Sequence, residues 1–180
     1  MSKKQFEKFL EAKSQEDDPI KAIDWIAKKE EWLASLDALY REIEQWLSEY
    51  ITSGKIKMER FPIALEEEYL GKYTAEKCLL VIGADRVMLR PIGTLLIGAS
   101  GRVDMEGPKG TVKFIRTGKT SNGIRISVSV VSDNKPNDIP RQAQPREEQV
   151  WKIATPPPRV RFIELTSDSF YDALMTVVNG

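Results

Sequence analysis

The chain has 180 residues, 41% of them hydrophobic and 30% charged, with 27 basic side chains against 27 acidic ones. That is the composition of one ordinary globular domain, long enough to bury roughly 70% of its unfolded surface without a metal or disulfide staple. Zero net charge argues against a dedicated nucleic-acid binder, and the complete lack of histidine removes the usual general base, the Ser-His and Cys-His nucleophile pairs and the commonest zinc ligand.

With Cys78 as the single cysteine, an intrachain disulfide is impossible and a structural zinc site within one chain is effectively excluded. The N-terminal stretch has no apolar run of signal-peptide length, and no segment approaches the ~18 apolar residues of a membrane-spanning helix. A cytoplasmic protein without a cofactor is the expectation, and any chemistry falls to Asp, Glu, Lys, Tyr or Ser.

Residues 1–54 form a helical arm, almost free of glycine and proline. A first helix is expected from Lys3 to about Ser14, with Phe6, Phe9 and Leu10 on one stripe. In the EDDP that follows, Asp18 suits an N-cap and Pro19 a first helical position, where a missing N–H costs nothing. The helix starting there can run to Ser53 and stop at Gly54, a span of about 50 Å.

Its second part places Trp32, Leu36, Leu39, Ile43, Trp46 and Tyr50 at alternating spacings of four and three residues, a heptad-like stripe on one face. Leu33, Tyr40, Leu47 and Ile51 widen the stripe, which suits a helix lying on its own core better than a two-stranded coiled coil. The other reading of the same residues is an interface for a protein partner or a second copy of the chain. The KKEE run, Lys28 to Glu31, reads as a solvated turn of helix or a break in it.

Residues 55–180 read as an antiparallel β domain of about six to eight strands. KIKMERFPIAL is a first strand, confined by Pro62 to an edge or a bulge. KCLLVIGA is apolar enough for both faces to be covered, one by the long helix, with Cys78 as a small buried hydrophobe. Gly83-Ala84 turns the chain into VMLRPI, and Gly93-Thr94 turns it into LLIGA. GIRISVSVV alternates strictly, as a strand with one wet face does.

Residues 132–149, rich in proline and poor in apolar side chains, read as a long mobile loop. VWKIA and RVRFIEL are further strands, and Pro156 to Pro158 between them is a stiff polyproline spacer. The last helix is capped by Thr166 or Ser167 and turns Phe170, Leu174 and Val177 inward.

The stretch GASGRVDMEGPKG, Gly98 to Gly110, most invites a chemical reading. A phosphate loop would open a helix with Lys-Ser/Thr, whereas TVKFIRT follows here as a strand. The residues instead read as a hairpin: Gly98 and Gly101 bend a strand, and Gly107-Pro108-Lys109-Gly110 makes the turn. Val103, Met105, Val112 and Phe114 then face inward, and Asp104 stands opposite Lys113 as an ordinary cross-strand pair.

Asp104, Glu106 and Lys113 are also the candidates for a metal-dependent hydrolase of the phosphodiesterase kind, two carboxylates to hold magnesium and a lysine nearby. Their order does not match the usual Asp…Glu-x-Lys pattern, and such acids most often decorate a solvated face. Arg90, Arg102, Lys109, Lys113, Arg116, Lys119 and Arg125 make the same region locally basic and offer an anion- or nucleic-acid-binding face. No aromatic residues interleave with them, as a single-strand platform requires. The EEE run, Glu66 to Glu68, reads as a solvated strand end.

The expected fold is α+β: the helical arm packs on a strongly bent antiparallel sheet or partly closed barrel, and a C-terminal helix caps it. The expected function is non-catalytic binding or scaffolding, through the Trp32–Tyr50 helix or the exposed sheet face.

Overall fold

The switch near Gly54 from helix formers to β-branched residues divides the chain into helix and sheet, giving an α+β fold. The structure, a computed structural model, describes residues 3–8, 24–94, 99–122 and 147–180. Residues 3–8 are helical (α1), with an exposed Lys3–Glu7 pair at 3.9 Å. The remainder of the expected first helix, and the Asp18-Pro19 start of the second, lie outside the described residues.

The long helix α2 spans Trp25–Trp46. It begins at Asp24, an extended residue whose Oδ1 accepts from the Ala27 N–H at 3.0 Å. One helix from Pro19 to Ser53 is therefore not what forms. Asp24 caps its start, and at the other end the helix breaks at Leu47 into a short α3, Ser48–Thr52. Leu47 is itself buried, so the break falls where the chain enters the core. KKEE, in contrast, continues the helix unbroken.

Gly54 does end the helical region, at φ +72°. The Lys55 N–H reaches the Tyr50 carbonyl at 2.9 Å and the Gly54 N–H reaches Ile51 at 3.0 Å. Those two bonds satisfy the last carbonyls, and the left-handed turn between them suits a residue without a Cβ.

Seven strands follow among the described residues: β1 (Ile56–Glu67), β2 (Gly71–Ile82), β3 (Asp85–Gly93), β4 (Gly101–Gly107), β5 (Gly110–Gly118), β6 (Gln149–Ala154) and β7 (Phe162–Glu164). They pair antiparallel in sequence order. Pro62 sits on the edge strand β1, where a missing donor is tolerated. Pairing never returns from β7 to β1, so the sheet is not a closed barrel among the described residues. GIRISVSVV and most of the expected 132–149 loop lie outside the described residues, while Gln149 already belongs to β6.

The triple proline is not a spacer. The Thr155 N–H donates to the Arg161 carbonyl at 2.9 Å, and Thr155 Oγ1 accepts from the Arg161 N–H at 2.8 Å. These two hydrogen bonds close residues 155–161 into a hairpin loop between β6 and β7. Three prolines fix φ but leave ψ free, so the loop's closure overrides the extended preference.

One core joins α2, strands β1 to β6 and the last helix. Trp32, Leu36, Leu39 and Ile43 of α2 meet Val103, Met105 and Phe114 of the sheet and Phe170 and Val177 of the last helix, α4 (Ser167–Asn179). Polar ties fix the layers: Trp151 Nε1 donates to the Ser35 carbonyl at 3.3 Å, and Tyr171 Oη to the Trp46 carbonyl at 2.8 Å. At the far edge, Tyr40 Oη donates to the Glu76 carbonyl at 2.9 Å and Arg60 pairs with Asp37 at 2.8 Å. Thr166 caps α4 through a reciprocal bond with Ser169. No helix among the described residues is long and apolar enough to cross a membrane.

Candidate functional site

The hairpin of β4 and β5 forms in the register its sequence dictates. Asp104 stands opposite Lys113, Glu106 opposite Thr111, and Gly107 opposite Gly110, with Pro108-Lys109 as the loop. Alternation along the strands then sorts the side chains. Val103, Met105 and Phe114 are fully buried against the helices, which leaves Arg102, Asp104, Glu106, Thr111, Lys113 and Ile115 on the outer face.

Two glycines of the hairpin are there for close approach. A Cβ on Gly101 would lie 2.3 Å from the Trp32 ring, and one on Gly107 would lie 2.5 Å from the Val177 carbonyl oxygen. Gly101 therefore serves to seat the α2 indole and Gly107 to seat the end of α4. The expectation that Gly101 bends the strand missed this packing role, and Gly98 lies outside the described residues.

The outer face differs from a solvated sheet surface. Asp104 retains only 8% of its side-chain exposure. Both its oxygens accept from one guanidinium, Arg102 Nε and Nη2, each at 2.6 Å. That bidentate pair uses the planar fork of arginine. The hydrogen bonds to Asp104, and then its charge, raise the Arg102 pKa against the opposing effect of burial. Sequence spacing pointed to Lys113 as the partner across the strands; the residue two positions along the same strand takes the carboxylate instead. Glu106 is held in turn by Arg90 at 2.5 Å.

Lys113 is left over. Among the described residues its ammonium forms no ion pair, although it stands directly across from Asp104. It lines a pocket of about 360 Å³ on this face, whose floor is Arg102, Thr111, Lys113 and Ile115. The wall is the β6–β7 loop, contributing Pro156, Pro157 and Val160, with Phe162 at the start of β7. Beside it, the buried Lys152 donates from Nζ to the carbonyls of Lys119 and Ser121, at 2.7 and 2.6 Å, and pins the 119–122 turn over β6.

The basic residues do not gather into one surface. Arg116 is on the helix side, paired with Glu31 of α2 at 2.7 Å. Lys109 is at the hairpin tip, where its N–H donates to the Val177 carbonyl at 2.9 Å. Lys119 pairs with Glu148 at 2.9 Å, and Arg125 lies outside the described residues. Arg102 and Lys113 alone of the set line the pocket.

The helix stripe is placed equally plainly. Trp32, Leu36, Leu39 and Ile43 are buried in this chain's own core, Trp46 packs on Phe170 at 5.5 Å, and Tyr50 is exposed. A partner using the first four would require α2 to leave the sheet. Glu67, expected to be solvated, instead accepts from Tyr73 Oη and from Thr94 N and Oγ1, the latter two at 2.8 and 2.9 Å. Compared with known proteins, the chain matches no family model, no curated protein and no solved structure.

Sequence reading missed the pocket because its wall comes from a loop. The signal was present: Val160 and Phe162 are apolar side chains next to prolines, and a spacer in water has no need of them.

Proposed function

We propose that this chain is a non-catalytic binding protein that acts through the outer face of its sheet, at the pocket between the β4–β5 hairpin and the 155–162 loop. The observation that carries the reading is the pocket itself: about 360 Å³, mostly apolar walls and few polar groups, within the ~300–1,000 Å³ range of small-molecule sites. The helix stripe supports it indirectly, because its central residues already serve the core. The carboxylates support binding over metal-assisted hydrolysis. Each already holds a guanidinium, and a magnesium ion would have to displace one.

Amide chemical-shift mapping tests the proposal. On titration of ¹⁵N-labelled protein with a mixture of small aryl and alkyl fragments, the perturbed amides are expected around Lys113, Ile115 and residues 154–162. Perturbations centred instead on the helical arm, around Ile26 of α2 and Tyr50 of α3, would sink the sheet-face reading and favour the helices.

A further inference from the structure

The charges around the pocket narrow what it can hold. On the outer face Arg90 is matched by Glu106 and Arg102 by Asp104, which leaves the Lys113 ammonium uncompensated among the described residues. Asp104 does not compete for it as a free carboxylate would, since its charge is already balanced by the Arg102 guanidinium. Arg102 gives its Nε hydrogen and one Nη2 hydrogen to Asp104, so the donors on Nη1 and the second on Nη2 remain for another acceptor. Two donors of like charge therefore border an apolar enclosure of Ile115, Ala154, Val160 and Phe162.

We propose, resting on the binding reading above, that the pocket takes a small organic monocarboxylate: its carboxylate at Lys113 and the free edge of Arg102, its apolar body under the proline-walled loop. The uncompensated Lys113 ammonium on the pocket floor matches a carboxylate. A neutral ligand of the same shape would cover the ammonium without pairing it, which costs the desolvation of a charged donor. A metal cation would meet the wrong sign. Pro156 and Pro157 have fixed φ, and the loop is closed by the Thr155–Arg161 bonds, so little chain ordering has to accompany binding.

Isothermal titration with 4-phenylbutyrate, its neutral amide and inorganic phosphate tests this on the full chain. The acid is expected to bind at least tenfold more tightly than the amide, and phosphate not at all. Lys113→Gln, at an exposed position, should erase the preference in a protein whose dichroism is unchanged. Equal affinity for acid and amide overturns the monocarboxylate assignment and leaves the sheet-face reading standing. An acid preference that survives Lys113→Gln overturns the placement of the carboxylate. Failure of both compounds to bind overturns the proposal, and the fragment mapping then decides separately whether the face binds anything.

Discussion

Asp104 is the residue where the distribution of charges on the outer face is decided. It is almost fully buried, and its two oxygens are taken by Arg102, which keeps a quarter of its own side-chain exposure. Replacing Asp104 with Asn leaves the guanidinium with a weaker, neutral acceptor. The expected loss is about 1–3 kcal/mol, the range for stranding a partly buried charged group, read as a lower urea midpoint at unchanged slope. No shift would mean that water already satisfies the pair. The sequence carried this contact only as an Arg-x-Asp spacing on one strand face. Lys113 across the ladder was an equally good partner on paper, and side-chain reach decides between them only once the sheet's shape exists.

Cys78 and Tyr40 add a pH dependence at the same scale. Burial pushes the Cys78 thiol up to about 12 and pushes the Tyr40 hydroxyl above its usual range. In the unfolded chain these groups ionise near ~8.5 and ~10, while the folded state keeps their protons. Stability is therefore fully present below about pH 8.5 and falls as pH rises, until the folded Cys78 itself titrates near 12. Urea melts at pH 7, 9 and 10.5 should show a declining midpoint, with Cys78→Ala removing the earliest part of the decline. A midpoint flat to pH 10.5 would contradict it.

Among the elements, α2 is the clearest test of what a periodic stripe means. Leu39 and Ile43 are completely buried, so either one replaced by Ala should cost about 2–5 kcal/mol. The double variant Leu39→Glu, Ile43→Glu should lose its folded far-ultraviolet and near-ultraviolet dichroism. A folded double variant that merely sediments as a smaller species would show the stripe to be an interface between copies.

The stripe, the Gly54 stop, the Thr166 cap and the β4–β5 register were all legible, because each rests on local periodicity or on one residue's backbone preference. The start of α2 at Asp24 and its break at Leu47 were not. Pro19 and Asp18 offered as good a local start, and nothing near Leu47 marks a break except its place in the core. The proline run misled for a related reason: polyproline preference is local, whereas the Thr155–Arg161 closure joins residues six apart.

At the scale of the whole molecule, the open sheet has two faces with different work. One is sealed by α2 and α4 into a single core. The other carries matched ion pairs, a leftover lysine and a pocket walled by a loop. The lack of histidine narrowed the chemistry open to the chain, but composition could not say which face of the sheet would carry a pocket. That depends on where the 155–162 loop lies over β5, a contact between segments some forty residues apart in sequence.

The fragment mapping repeated on Ala154→Trp bears on this division most directly. Ala154 lines the pocket, and an indole there fills it without touching the helix-side core. The variant should keep the wild-type dichroism and melting temperature to within a few degrees, and the fragment-induced shifts around Lys113 and residues 154–162 should vanish. The same shifts persisting at undiminished affinity in a folded Ala154→Trp protein would contradict the assignment of binding to this pocket.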